Sequence, residues 1–370
     1  MISSPQFLSS ESVSAGNADK VADAIADAIL DACLKENRYA RASVHAMVTT
    51  NQVVVGGVVS GVTNINYGAA ITESIRASGY GGYKNVLPGV FEDTTIFQSN
   101  LIRHQILGLA EHLDDDRGEH TDEACTVWGY ACKETKNLLP VPLILAQKIT
   151  REIADARFSE KPKWLRPDAE AKVTVRYEGG VPVEVTKAIV LLQHTQEVKA
   201  DTIEKWVNNH LLPKAMGAWF RKGIDVSINP AGRFICGGPE WNCGVSGRRL
   251  NTDTYCGFST APAKVLSGQD ATRLTRSATY FARWIARQIV SNHIAAVAEV
   301  RICYANGIAQ PVSFEVDTRG TGNNALAVKF AKQYDGRLGA IIERFNLRHP
   351  IYTRTTNYGH FGKTDLPWEI

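Results

Sequence analysis

Ser10-Glu11-Ser12-Val13-Ser14-Ala15-Gly16-Asn17-Ala18-Asp19-Lys20 leads straight into an amphipathic stretch, Val21 to Leu34, in which Val21, Ile25, Ile29 and Cys33 recur every four residues. That spacing predicts a helix with one apolar stripe. Asp19 and Lys20 therefore stand where a loop meets a helix.

Helical and strand patterns alternate along the rest of the chain, and no Pro/Gly/Ser-rich linker interrupts them. Gln52 to Thr63 is β-rich around Gly56-Gly57, and Lys172 to Tyr177 and Val181 to Leu192 flank a hairpin signal at Glu178-Gly179-Gly180. Pro140 and Pro142 mark the start of a helix that runs from Leu143 to Phe158. Ala271 to Ala295 reads as a long helix, Ala298 to Tyr304 and Gln310 to Asp317 as strands, and Leu338 to Phe345 as a short helix. Ser99 to Leu113 reads as apolar and helix-like. Gly-Gly pairs recur at positions 56, 179 and 237, but their flanks share too little to establish a repeat. The order predicts an α+β protein of two or three layered subdomains, without a Rossmann fingerprint.

A chain of 370 residues, 44% of them hydrophobic, can bury a large core. A net charge of +3 and no long Lys/Arg run argue against nucleic-acid binding. No apolar run reaches roughly 18 residues, so no membrane span is expected. The N-terminus has no basic region followed by an apolar one, so no signal peptide is expected. The seven cysteines (33, 125, 132, 236, 243, 256 and 303) form no CxxC pair. Buried free thiols in a reducing, cytoplasmic setting are the expectation.

The opening stretch resembles the signature Ser-Glu-Ser-Val-x-x-Gly-His-Pro-Asp-Lys of S-adenosylmethionine synthetases. Trp164 to Ala169 matches that family's WLRPDA, and Gln193-His194-Thr195 its QHS/T. Ile228 to Phe234 with Gly237-Gly238-Pro239 resembles INPTGRF…GGP, Cys243 to Arg248 resembles CGLTGR, and Asp253-Thr254-Tyr255 matches DTY. His349 to Tyr352 and Tyr358 to Gly362 match the C-terminal pattern. The resemblance implies three similar α+β subdomains around a pseudo-threefold axis, at residues 7–104, 119–233 and 234–368. It further implies a homodimer or a dimer of dimers, with chains packed sheet against sheet and active sites between them.

In that family the sulfur of methionine attacks C5′ of ATP and expels triphosphate, so cations and Mg2+ must meet the leaving group. By resemblance, Asp19 is a magnesium ligand, Lys20 and Arg248 are catalytic, and Asn17 takes the place of the catalytic histidine. Asp168 (ribose), Phe234 (adenine), Arg233, Arg249, Arg273 and Glu123 are nucleotide-binding positions. Arg249 and Arg273 replace lysines, and arginine neutralises phosphate with bidentate geometry. Glu123 follows His120-Thr121-Asp122, where the family has GAGDQG. Glu170 and Gln269 replace lysines, and Thr275 replaces a second magnesium-ligand aspartate. Fewer Mg2+ sites than in the family are therefore expected. His45 replaces a glutamate associated with a monovalent cation, which counts against that ion.

The second-substrate pocket maps onto Gly57, Val58, Gln98 and Asn242. The family holds methionine's ammonium with two carboxylates, at the positions of Val58 and Asn242. A buried ammonium without an anionic partner is costly. Arg103 and His104 read equally well as helix-surface residues and as substrate contacts. Three readings follow: an adenosyltransferase using another small-molecule nucleophile, a non-catalytic paralogue with a structural or regulatory role, and a working synthetase with a compensated site. Asp19, Lys20, Asp168, Phe234, Arg248 and Arg276 all stand, which favours the first.

Overall fold

The computed structural model describes residues 5–81, 91, 96–105, 123–159 and 161–370. Its first third contains β1 (Gln6–Val13), α1 (Ala18–Glu36), β2 (Arg41–Thr49), β3 (Gln52–Ser60), α2 (Tyr67–Ala77) and β4 (Phe97–His104). The middle third contains β5 (Cys125–Cys132), α3 (Val141–Phe158), β6 (Leu165–Glu178), β7 (Val181–His194), α4 (Ala200–Trp206), α5 (Leu212–Met216) and β8 (Asp225–Ile228). In the last third, β9 (Gly244–Val245), α6 (Leu250–Thr254) and α7 (Leu274–Ser291) precede β10 (Val297–Tyr304), β11 (Ser313–Asp317), α8 (Asn324–Ala331) and α9 (Leu338–Phe345).

Each third repeats one plan: a strand, a long helix, then an antiparallel hairpin. The leading strand does not join its own hairpin. β1 pairs with β6 of the middle third, β5 with β10 of the last, and β9 with β2 of the first. The resulting sheet orders are β1-β6-β7-β8, β5-β10-β11 and β9-β2-β3-β4. In two of them a parallel fourth strand follows a helical crossover, β3 to β4 and β7 to β8. This cyclic exchange of strands is the pseudo-threefold arrangement. The repeat is carried by topology rather than by the Gly-Gly pairs, which fall in a strand, a hairpin turn and a 3-10 turn.

The periodic stripe of α1 is its core face, with Val21, Ile25, Ile29 and Cys33 all 0% exposed. Each such side chain contributes about 1.5–3 kcal/mol through burial. α3 covers the sheet containing β1 and β6, and α7 covers β5 and β10. The helix expected from Ser99 is corrected: residues 99–104 belong to β4, bonded in parallel to β3. Backbone partners 45 positions away decide that segment, and a local apolar run cannot reveal them. Residues 106–113, and His120-Thr121-Asp122, lie outside the described residues.

All seven cysteines are free, but Cys236 and Cys243 are exposed rather than buried. No helix among the described residues is long and apolar enough to cross a membrane.

Candidate active site

The opening loop is fixed by the strand pairing of β1 and β6. Val13 stands opposite Glu170 and Glu11 opposite Lys172, so the first signature lies alongside the WLRPDA segment. Ser14 completes the seam: its Oγ donates to Pro167 O (2.7 Å) and accepts from Ala169 N (2.9 Å). Asn17 caps α1, its side-chain oxygen accepting from Asp19 N at 3.1 Å. A side-chain hydrogen bond also joins Asn17 to Asp168.

Asp168 is buried, and its Oδ2 accepts from Gly238 N at 2.7 Å. Burial pushes its carboxyl up to about 6, against the lowering effect of the Gly238 and Asn17 hydrogen bonds. Gly237 fits between Asp168 and Phe234; a Cβ there would come within 2.8 Å of the ring and 3.1 Å of the Asp168 Cβ. Ring, glycine and carboxylate thus form one shelf. Sequence reading gave no role to Gln193 and His194, although they hold this shelf. Gln193 accepts from Asp168 N (3.2 Å) and donates to Ile235 O (2.9 Å). His194 Nε2 accepts from Phe234 N at 3.2 Å, so its Nδ1 carries the proton donated to Thr195 O.

α1 also carries a second stripe at the same four-residue spacing: Asp19, Asp23, Asp27 and Asp31, all at most 5% exposed. Buried carboxylates require partners, and the last third of the chain supplies them. Asp19 Oδ1 accepts from Val245 N (3.0 Å) and pairs with Arg248 (3.2 Å), and Oδ2 accepts from Arg249 Nε (3.3 Å). Asp23 accepts from Gly247 N (2.8 Å), Asp27 from Gly268 N (2.8 Å), and Asp31 from Tyr352 N (3.0 Å) and Thr353 N (2.8 Å). Arg276 grips Asp27 with both Nη atoms, at 2.7 and 2.9 Å.

Lys20 is 1% exposed and paired with Asp23 and Asp253. Burial alone would lower its pKa, but the two carboxylates outweigh that and raise it. Lys20, expected among the catalytic residues, is thus held between a carboxylate of α1 and one of α6.

The six residues read as nucleotide-binding fall into three places. Asp168, Phe234 and Arg249 share the wall that carries Asp19 and Arg248. Arg233 is exposed, donates to Gln196 O, and lines a different cavity of about 600 Å3. Glu123 and Arg273 line a separate cavity of about 340 Å3, with His45 and Gln269. Asp27, eight residues and so about 12 Å along α1 from Asp19, lies between the first group and this cavity, bridged by Arg276.

The second-substrate residues are also divided. Gly57, at φ +140°, lets β3 approach Ser43 O too closely for any Cβ. Val58, 39% exposed, stands opposite Ser43 and Arg103 on the open face of its sheet. Gln98 pairs with Val53 on the other face and donates to Thr72 Oγ1 of α2 at 3.2 Å. His104, on that same face, meets Tyr67 OH at 3.1 Å. Asn242 is exposed just before β9, beside Trp241, which is 71% exposed.

Among the described residues no group of three or more His, Cys, Asp or Glu could hold a metal ion. Mg2+ is commonly held by one or two carboxylates together with substrate phosphates. Asp19 fits that pattern as a single carboxylate beside arginines that could face phosphate. Both oxygens of Glu123 are engaged, by Lys264 and Thr275, as are both oxygens of Asp19, by Val245 N and Arg248 and by Arg249.

Three family models match in succession: S-adenosylmethionine synthetase, N-terminal domain, at residues 6–103, central domain at residues 119–234, and C-terminal domain at residues 236–370. Together with the exchanged-strand fold and the signature loop at the start of α1, these matches establish that the chain belongs to the S-adenosylmethionine synthetase family.

Proposed function

We propose that the chain binds an adenine nucleotide and transfers its adenosyl group to a small nucleophile other than methionine. The observation that carries this reading is the shelf of Phe234, Gly237 and Asp168 beside Asp19, Arg248 and Arg249. Adenine stacks on Phe234, the ribose hydroxyls meet Asp168, and the phosphates lie toward the two arginines. The nucleophile bonds to C5′, and the C5′–O electron pair leaves with the polyphosphate. Arg248 and Arg249 then stabilise the charge developing on the departing oxygen, the usual task of cations placed at a leaving group.

Membership of the family supports ATP as the nucleotide and Mg2+ as the ion that accompanies it. Bound at Asp19, Mg2+ would neutralise phosphate oxygens. Asn17 orients rather than protonates, since its amide is spent on capping α1 and on Asp168.

The site is completed by a second copy of the chain. The open face of the β9-β2-β3-β4 sheet carries exposed Phe97 (77%), Leu101 (65%), Val58 (39%) and Met47 (38%). An apolar face of this kind calls for a partner surface. His45, on the same face, lines the cavity that holds Arg273. Pairing two such faces brings the Asp19 wall of one copy toward the Arg273 cavity of the other. The pocket for the nucleophile is then lined by neutral Val58 and Asn242, which supports a substrate without an ammonium group.

Calorimetric titration with ATP and a non-hydrolysable analogue tests the reading. Binding is expected, and Phe234→Ala should weaken it roughly tenfold or more, since stacking on an aromatic ring is worth about 1–3 kcal/mol. Absence of binding to every adenosine ligand would favour a non-catalytic, structural role.

A further inference from the structure

α1 carries a third stripe, Ala24, Ala28 and Ala32, turned about 100° from the aspartates by the step of one residue. α2 packs beside α1, and its Ala70, Ser74 and Ala77, with Ser78 at its C-cap, share one face at helical spacing. Short side chains on both helices leave a groove between them, closed on its other side by residues 350–357. The cavity measures about 560 Å3, within the range that takes a small organic molecule. None of its lining residues belongs to the nucleotide wall or to the Arg273 cavity.

Two polar atoms on side chains that line this groove are left unpaired among the described residues. Ser78 is 3% exposed and its Oγ has no hydrogen-bond partner; Asn357 Oδ1 has none either. The neighbouring polar groups are spent on the fold. Asp31 accepts from Tyr352 N and Thr353 N, Glu36 from Thr63 N at 2.8 Å, and Asn66 from Ala69 N at 2.9 Å. Thr356 Oγ1 donates to Thr353 O at 3.0 Å. A buried polar atom without a partner is costly, so a ligand that reached these two would supply bonds that the fold does not make.

The chemistry of the lining selects the ligand. Asn357 Oδ1 can only accept, and a serine hydroxyl accepts as readily as it donates. Lys35 is the one cation of the lining, against Asp31, Glu36 and Glu73. Acceptors, net negative charge and a floor of methyl groups together suit a donor-rich cation with a hydrocarbon body. We propose that the groove between α1 and α2 binds a small alkylammonium ligand, its head meeting Asn357 Oδ1 and Ser78 Oγ and its hydrocarbon body lying on Ala24, Ala28 and Ala77.

Octylamine, octanol and octanoate share one hydrocarbon body and differ in the head, so calorimetric titration of the full chain with each isolates the head. Octylamine is expected to bind saturably at one site per chain, with octanol weaker and octanoate weaker by about tenfold or more. Ala28 is half-buried, so Ala28→Phe extends into the groove and should abolish octylamine binding. Asn357→Leu should weaken octylamine about tenfold, the scale of one hydrogen bond to a charged group. Thermal unfolding confirms that each variant is folded, and Asn357→Leu carries the test should Ala28→Phe fail to fold. The titrations contain no nucleotide, and Phe234→Ala should leave octylamine affinity unchanged, so the result stands apart from the nucleotide reading. Three results would overturn the proposal: no saturable binding of octylamine, octanol or octanoate binding as tightly as octylamine, or octylamine affinity unchanged in the folded variants.

Discussion

Val58 and Asn242 lie toward opposite ends of one sheet. Val58 stands opposite Ser43, whereas Gly244, two residues after Asn242, stands opposite Val48. Five residues of β2 separate those two rungs, about 17 Å at the usual strand rise. Two positions that would together hold one ammonium therefore cannot do so within a single chain. If they share a pocket, that pocket takes Val58 from one copy and Asn242 from the other.

Mixed dimers test this arrangement. Combining Val58→Glu chains with Asn242→Asp chains should create one pocket with both carboxylates and raise methionine affinity there. The two changes should couple rather than add, because both act on one ammonium. The measurement is methionine binding by calorimetry with a non-hydrolysable ATP analogue present. Equal affinity in the mixed dimer and the single variants would reject the shared pocket.

Asp168 should make stability depend on pH. Its folded-state pKa of about 6 lies above the ordinary value of 3.8, so the folded state holds the proton more tightly. The ionised, buried carboxylate costs stability above pH 6, and that cost disappears as pH falls toward 4. The shift of roughly two units corresponds to at most about 3 kcal/mol. Asp168→Asn should therefore gain stability relative to the parent above pH 6, with the difference vanishing near pH 4, while nucleotide affinity falls. Urea unfolding of both proteins from pH 4 to 8 checks it.

The Asp27–Arg276 pair should be the costliest of the buried contacts to break. Both groups are at most 1% exposed and bidentate. Arg276→Met leaves Asp27 charged and only partly satisfied, which should cost about 3–5 kcal/mol. Denaturant unfolding should show that loss. A change below about 1 kcal/mol would mean that Gly268 N and Thr355 suffice for Asp27.

The stripe from Val21 to Cys33 was legible because apolar periodicity is a local signal. The aspartate stripe on the same helix was present at equal spacing, yet its meaning depends on amides more than 200 positions away, such as Val245 N and Gly268 N. The same distance hid the exchange of β1, β5 and β9 and turned residues 99–104 from an expected helix into an edge strand. Motifs identified the site residues one at a time. Sequence order could not say that Arg273 lines a cavity with Glu123 while Asp19 meets Arg248 and Arg249, or that Lys20 is sealed between Asp23 and Asp253. The contact of Lys264 with Glu123 joins residues 141 positions apart, which no local pattern reveals.

The central claim is that the nucleotide half of the site stands while the methionine half has changed. Its most direct test is incubation of the purified chain with ATP, Mg2+ and methionine, with S-adenosylmethionine measured by mass spectrometry and released phosphate and pyrophosphate by colorimetry. The account predicts little or no S-adenosylmethionine, below about 10⁻³ per second, from a protein that still binds ATP. Turnover of about 1 per second or more, ordinary for an enzyme, would contradict it.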